Sequence, residues 1–161
     1  MKSFLDAVKG ASSALAALAG AALVFLMLLT IADVCLRILG RPIVGTYELV
    51  GLSGAIAIGL SLPLTSWVRG HIYVDSFAAR LPRVPRTVLT VVTRLLVLAL
   101  FFLLGWNLIK YALDLQKAGE VTPTLRVPFF PVTLGVGVSC LIECLVMVAD
   151  IVKTLKAEER A

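Results

Sequence analysis

Four long apolar runs divide this chain, and each has the length of a helical bilayer crossing. The first, Ala11 to Ala32, runs 22 residues without a charge, where a hydrocarbon core of about 30 Å needs about 20 helical residues. The second, Leu49 to Trp67, is 19 residues long and also uncharged. The third, Thr87 to Ile109, holds one charge, Arg94, and the fourth, Val127 to Ala149, holds one, Glu143. None alternates apolar and polar residues as an outer-membrane strand does. The expected fold is therefore all-α and integral to a membrane, with four transmembrane helices near 11–38, 47–68, 87–112 and 128–151 in one membrane domain, 1–161. Composition agrees: 60% of the 161 residues are hydrophobic and 16% charged, against roughly 45–50% and 25% in soluble domains. A core of this size does not hide so much apolar surface, and lipid has to take the rest.

The first run is read as a span rather than a cleaved leader. Lys2 and Lys9 precede it as in a leader, but it exceeds the usual h-region of about 7–15 residues. The stretch Ala32-Asp33-Val34-Cys35 after it also lacks a small-x-small cleavage pattern. Lys2, Lys9, Arg69, Arg80, Arg83, Arg86, Lys153, Lys156 and Arg160 fall on one side of a four-span topology. Arg37, Arg41, Lys110, Lys117 and Arg126 fall on the other. The richer side is cytoplasmic by the positive-inside rule, so both termini are placed in the cytoplasm. The net charge of +5 then reflects topology and attraction to anionic membrane lipids, not nucleic-acid binding. A phosphate-cradling glycine loop and an aromatic-interleaved basic stretch are both absent from the sequence.

The links carry their own punctuation. Gly40 to Gly45 reads as a tight outer turn, and the last outer link, with Gly119, Pro123, Pro128 and Pro131, reads as irregular. Gly51, Ala55 and Gly59 repeat every four residues in the second span, a small-residue stripe that admits another helix closely. Pro63 is expected to kink that span. Val74, Phe77, Ala78 and Leu81 share one helical face opposite Asp75 and Arg80. That pattern predicts a short amphipathic helix over 74–81 lying in the cytoplasmic interface, ended by Pro82 and Pro85.

Charges inside a membrane cost about 2.5–3.5 kcal/mol each on insertion scales, so each calls for a partner or a role. Arg94 and Glu143 fall at similar depths, roughly 10–13 Å inside the cytoplasmic face at 1.5 Å per residue, and are expected to pair between adjacent helices. A proton or ion relay is the functional alternative to that structural clasp. Asp33 and Arg37 are spaced for a local ion pair. Glu48 opens the second span, where it reaches Arg37 or Arg41, or stabilises the helix N-terminus as an anion.

Catalytic readings find little. Cys35, Cys140 and Cys144 form no CxxC pair and read as small apolar packing residues. His71, the one histidine, sits in a link where bis-histidine haem ligation has no second ligand. No nucleophile, base and acid set assembles plausibly. The chain is not read as an enzyme and needs no cofactor or metal.

Tyr47-Glu48-Leu49, the glycine-rich second span and Gly70-His71-Ile72-Tyr73-Val74-Asp75 together resemble the small membrane subunit of tripartite ATP-independent periplasmic (TRAP) transporters, the DctQ type. The late link Thr122-Pro123-Thr124-Leu125-Arg126-Val127-Pro128, followed by a fourth span with Gly135 and Gly137, is similar as well. The resemblance implies a bacterial inner-membrane scaffold for a large multi-span DctM-type subunit. That larger subunit would carry the substrate and sodium sites, and a periplasmic substrate-binding protein would deliver an organic anion of carboxylate or sialic acid type. On this reading Glu48, Gly70, His71 and Asp75 serve architecture, with Asp75 capping the interfacial helix. Arg41, Lys117 and Arg126 become candidates for periplasmic docking. A free-standing small oligomeric transporter or channel is the alternative.

Overall fold

The structure is a computed structural model, which describes residues 2–68 and 83–158. Four helices make up nearly all of them: α1 (Lys2–Ile38), α2 (Thr46–Trp67), α3 (Arg83–Ala118) and α4 (Phe130–Glu158). Each holds a segment long and apolar enough to cross a bilayer: Leu5–Ile38, Thr46–Trp67, Val91–Ala118 and Phe130–Val152. The fold class is all-α with four such helices. The interfacial helix expected over 74–81 lies outside the described residues, and so do Gly70, His71 and Asp75.

Helices α1 and α3 end by the same device. Gly40 (φ +72°) and Gly119 (φ +66°) take the left-handed conformation. The chain then folds back, so that the Arg41 N–H meets the Leu36 carbonyl at 2.9 Å and the Glu120 N–H meets the Leu115 carbonyl at 3.2 Å. These Schellman closures satisfy terminal carbonyls near the membrane boundary, where water is scarce. One proline differs from its sequence reading: Pro131 does not belong to an irregular link but lies in the first turn of α4, and Pro85 likewise lies in the first turn of α3. A first-turn N–H has no intrahelical partner, so proline loses nothing there.

Helix α1 packs against α2 and α3 packs against α4 as two antiparallel hairpins, and α2 lies along α4 to join them. The order across the bundle is therefore α1, α2, α4, α3. The central pair carries most of the buried side chains, among them Leu60, Cys140, Cys144, Val146 and Met147. The flanking helices present large apolar residues outward, including Leu23, Leu28, Leu96 and Leu103. Lipid tails are as apolar as leucine, so close approach has to come from small residues and polar contacts. A Cβ on Gly105 would come within 3.1 Å of the Gly137 carbonyl, and one on Gly137 within 3.2 Å of the Leu108 Cβ. These two glycines let α3 and α4 touch backbone to backbone.

Within the stripe of the second span only Gly59 serves such a contact, where a Cβ would meet Val136 at 2.6 Å. Gly51 faces open space, and Gly51, Ala55, Tyr47 and Ile58 are all exposed along one line of α2. Replacing Gly137 by Val should destabilise the bundle by about 1–3 kcal/mol through overpacking, while Gly51→Val should leave the unfolding midpoint unchanged. Thermal unfolding of the two variants in the same detergent checks the contrast.

Candidate functional site

Among the described residues, three groups of polar side chains tie one segment to another. At the end bearing the α1–α2 turn, Asp33 is 4% exposed and acts as a hub. It accepts from Arg37 Nη2 at 2.6 Å, from the Ile43 N–H at 3.0 Å and from the Thr46 hydroxyl at 3.0 Å. The expected Asp33–Arg37 ion pair is present. The contacts to Ile43 and Thr46 go further, because they bind the end of α1 to the start of α2 and set the turn between them.

Glu48, in the first turn of α2, reaches neither Arg37 nor Arg41 in this geometry. Its carboxylate instead accepts the backbone N–H of Thr124 at 2.7 Å and of Leu125 at 2.9 Å. The link between α3 and α4 is accordingly not irregular but folded into a small hairpin. Val121 pairs with Pro128, the Thr122 N–H donates to the Val127 carbonyl at 2.9 Å, and the Thr122 hydroxyl accepts the Val127 N–H at 3.1 Å. Arg126 holds a left-handed φ of +54° at its tip. Leu125 lies directly on Gly45, where a Cβ would stand 2.5 Å from its Cγ. Glu48 and Gly45 together hold this hairpin down on the α1–α2 turn.

In the middle of the bundle, Pro63 sits inside α2. Proline has no N–H, so the carbonyl four residues earlier, on Gly59, loses its helical donor. The Ser139 hydroxyl of α4 donates to that carbonyl at 2.7 Å, with Ser139 itself fully buried. One turn further on, the Ser66 hydroxyl donates to Glu143 Oε1, and Glu143 is also fully buried. The joint between the hairpins is thus polar as well as close-packed.

The third group corrects a pairing. Arg94 does not meet Glu143; its Nη2 lies 2.8 Å from Asp150 Oδ2, and both side chains are 15% exposed. Helix register is the reason. The Cys144 thiol faces the Leu98 carbonyl at 3.7 Å, and in an antiparallel pair each step back along α3 is a step forward along α4. Four residues before Leu98 therefore lies opposite position 148, next to Asp150 and more than a turn beyond Glu143. Depth counted from the ends of two apolar runs misses such an offset.

Sequence reasoning missed Ser66, Ser139, Thr46 and Asp150. One signal was available: Pro63 frees a carbonyl at a calculable position, and a serine on a facing helix is a natural donor for it. Arg41, Lys117 and Arg126 are all exposed. Lys117, in the last turn of α3, lies 3.9 Å from Asp114, and Arg41 and Arg126 stand on the two links at the same end of the bundle.

These features define a polytopic helical membrane protein whose intramembrane polar groups clasp its own helices to one another. A family model for the DctQ component of tripartite ATP-independent periplasmic transporters matches residues 26–157. The chain belongs to this family, and so is a multi-pass inner-membrane component of a TRAP transporter. Comparison with curated proteins finds no match.

Two outcomes test the site. Exchanging the charges, Arg94→Asp with Asp150→Arg, should recover most of the roughly 3 kcal/mol that either single change removes, whereas pairing Arg94→Glu with Glu143→Arg should recover nothing. Folded yield and unfolding midpoint read both. Glu48→Ala should raise hydrogen exchange at the Thr124 and Leu125 amides on the order of 10- to 100-fold, since hydrogen bonds to a charged group contribute about 1.5–3 kcal/mol.

Proposed function

We propose that this chain is the small, non-catalytic membrane subunit that scaffolds the large DctM-type subunit of a TRAP transporter. The complex takes up an organic anion of carboxylate or sialic acid type, driven by sodium and delivered by a periplasmic substrate-binding protein. The family match over residues 26–157 carries this reading. The use of Asp33, Arg94, Asp150 and Glu48 in internal contacts supports it, because charges engaged in holding helices are poorly placed to line a transport path.

Both termini lie in the cytoplasm on the strength of the lysine and arginine distribution, which turns the α1–α2 turn and the α3–α4 hairpin toward the periplasm. Arg41, Lys117 and Arg126 there offer positive charge to a docking protein, and charge at such a rim sets the association rate more than the lifetime of a complex. Gly51 and Ala55, on the outward line of α2, give a helix of the large subunit a close approach. Gly70, His71 and Asp75 serve the architecture of the link between α2 and α3.

Co-expression with the large subunit should give a stoichiometric complex by affinity purification. This chain alone in proteoliposomes should show no substrate uptake, and uptake by it alone would favour a free-standing transporter instead. Arg126→Glu should slow association of the periplasmic protein several-fold at low salt, with the difference fading as salt is raised.

A further inference from the structure

Glu143 is the polar group that the clasps leave half used. Its residue is fully buried, Oε1 meets the Ser66 hydroxyl, and Oε2 has no hydrogen-bond partner. Among the described residues, the ionisable and polar groups around it offer no compensating cation. Cys140 and Cys144 flank it on α4, both buried as free thiols. Ser66 faces it from α2, and Arg94, the cation that α3 brings to this face of α4, is engaged by Asp150. On α1 the ionisable residues toward the same end, Asp6 and Lys9, are exposed.

An ionised carboxylate in such surroundings keeps a full charge in low dielectric with one oxygen bare, the arrangement that burial penalises most. A neutral acid changes that count. With the acid neutral, Oε1 accepts the Ser66 hydroxyl as a carbonyl oxygen and Oε2 carries the proton, and a neutral O–H without an acceptor costs far less than a bare charge. We propose that Glu143 carries its proton in the folded chain, and that the Glu143–Ser66 pair is a proton-dependent latch between the inner halves of α2 and α4.

The position beside Pro63 gives the latch something to act on. A proline inside a helix removes one rung of the ladder, and the Ser139 hydroxyl repairs it from α4. Beyond that repair, the Ser66–Glu143 bond ties the last turn of α2 to α4. Loss of the proton would leave an unhydrated charge between the two segments, and admitting water to it requires them to part. The inference stands on burial and hydrogen bonding within this chain and does not depend on the identity of any transport partner.

The full chain in proteoliposomes provides the test. Its infrared spectrum at neutral pH should contain the carbonyl stretch of a protonated carboxylic acid, and Glu143→Gln should remove that band. Ser66→Ala should move the band to higher frequency by withdrawing the hydrogen bond, which keeps the test open if the Glu143 variant fails to insert. In a Trp106→Phe background, Trp67 is the one remaining tryptophan and reports on the last turn of α2. Its emission should shift to the red as pH is raised, and the shift should disappear with Glu143→Gln. A spectrum without the acid band in the otherwise native chain would overturn the proposal. So would a Trp67 response that is the same with and without Glu143.

Discussion

The seam between α2 and α4 is the contact on which the rest of the bundle depends. Each hairpin, α1–α2 or α3–α4, closes on itself through its own turn, but the two are joined mainly where α2 lies along α4. Lipid supplies no hydrophobic force to hold that seam, since an exposed leucine is as well solvated by acyl chains as by another helix. What holds it is the absence of a side chain at Gly59, which lets Val136 close in, and a backbone carbonyl that Pro63 leaves without its helical donor. Ser139 supplies the missing hydrogen bond. The same proline that weakens α2 as a free helix therefore creates the acceptor that fastens it to α4.

At the other end of the hairpins a second fastening works by a different route. Asp33 gathers Arg37, Ile43 and Thr46 so that the α1–α2 turn has one arrangement. That turn places Gly45 under Leu125 and Glu48 under two backbone N–H groups of the α3–α4 hairpin. A carboxylate bound by backbone donors is insensitive to the identity of the donor side chains, so Thr124 and Leu125 are held by their conformation. With the hairpin fixed from below, Arg126 can be kept in a left-handed conformation that a bulky residue otherwise avoids. Its guanidinium is thereby displayed on a rigid support.

Much of this was legible in the chain itself. Helix length and number follow from the apolar runs, and the Asp33–Arg37 pair follows from i, i+4 spacing. What escaped depends on register between helices that are remote in sequence. Depth along the apolar runs matches Arg94 to Glu143; the actual register, set by Gly105 against Gly137, carries Arg94 on to Asp150. The stripe of Gly51, Ala55 and Gly59 is one pattern in sequence, yet these positions serve different surroundings, because successive fours drift around a helix of 3.6 residues per turn. Gly59 has rotated into the seam while Gly51 and Ala55 stay outside it. The proline-rich link looked irregular because hairpin pairing across Thr122 and Val127 has no local periodicity to betray it.

The distribution of these fastenings bears on what the outer helices are for. Polar ties and glycine contacts gather on the inner faces, while the outward sides of α1 and α3 keep large apolar residues, and Thr30, Thr93 and Asn107 among them bond back to carbonyls of their own helices. Such a face exchanges lipid for a partner helix at little cost, because both environments solvate it about equally. Helices α1 and α3, at 37 and 36 residues, are also far longer than the roughly 20 that a crossing requires. The scaffold role proposed for this chain calls for this division: an interior whose polar bonds fix four helices, and flanks that leave the choice of neighbour open.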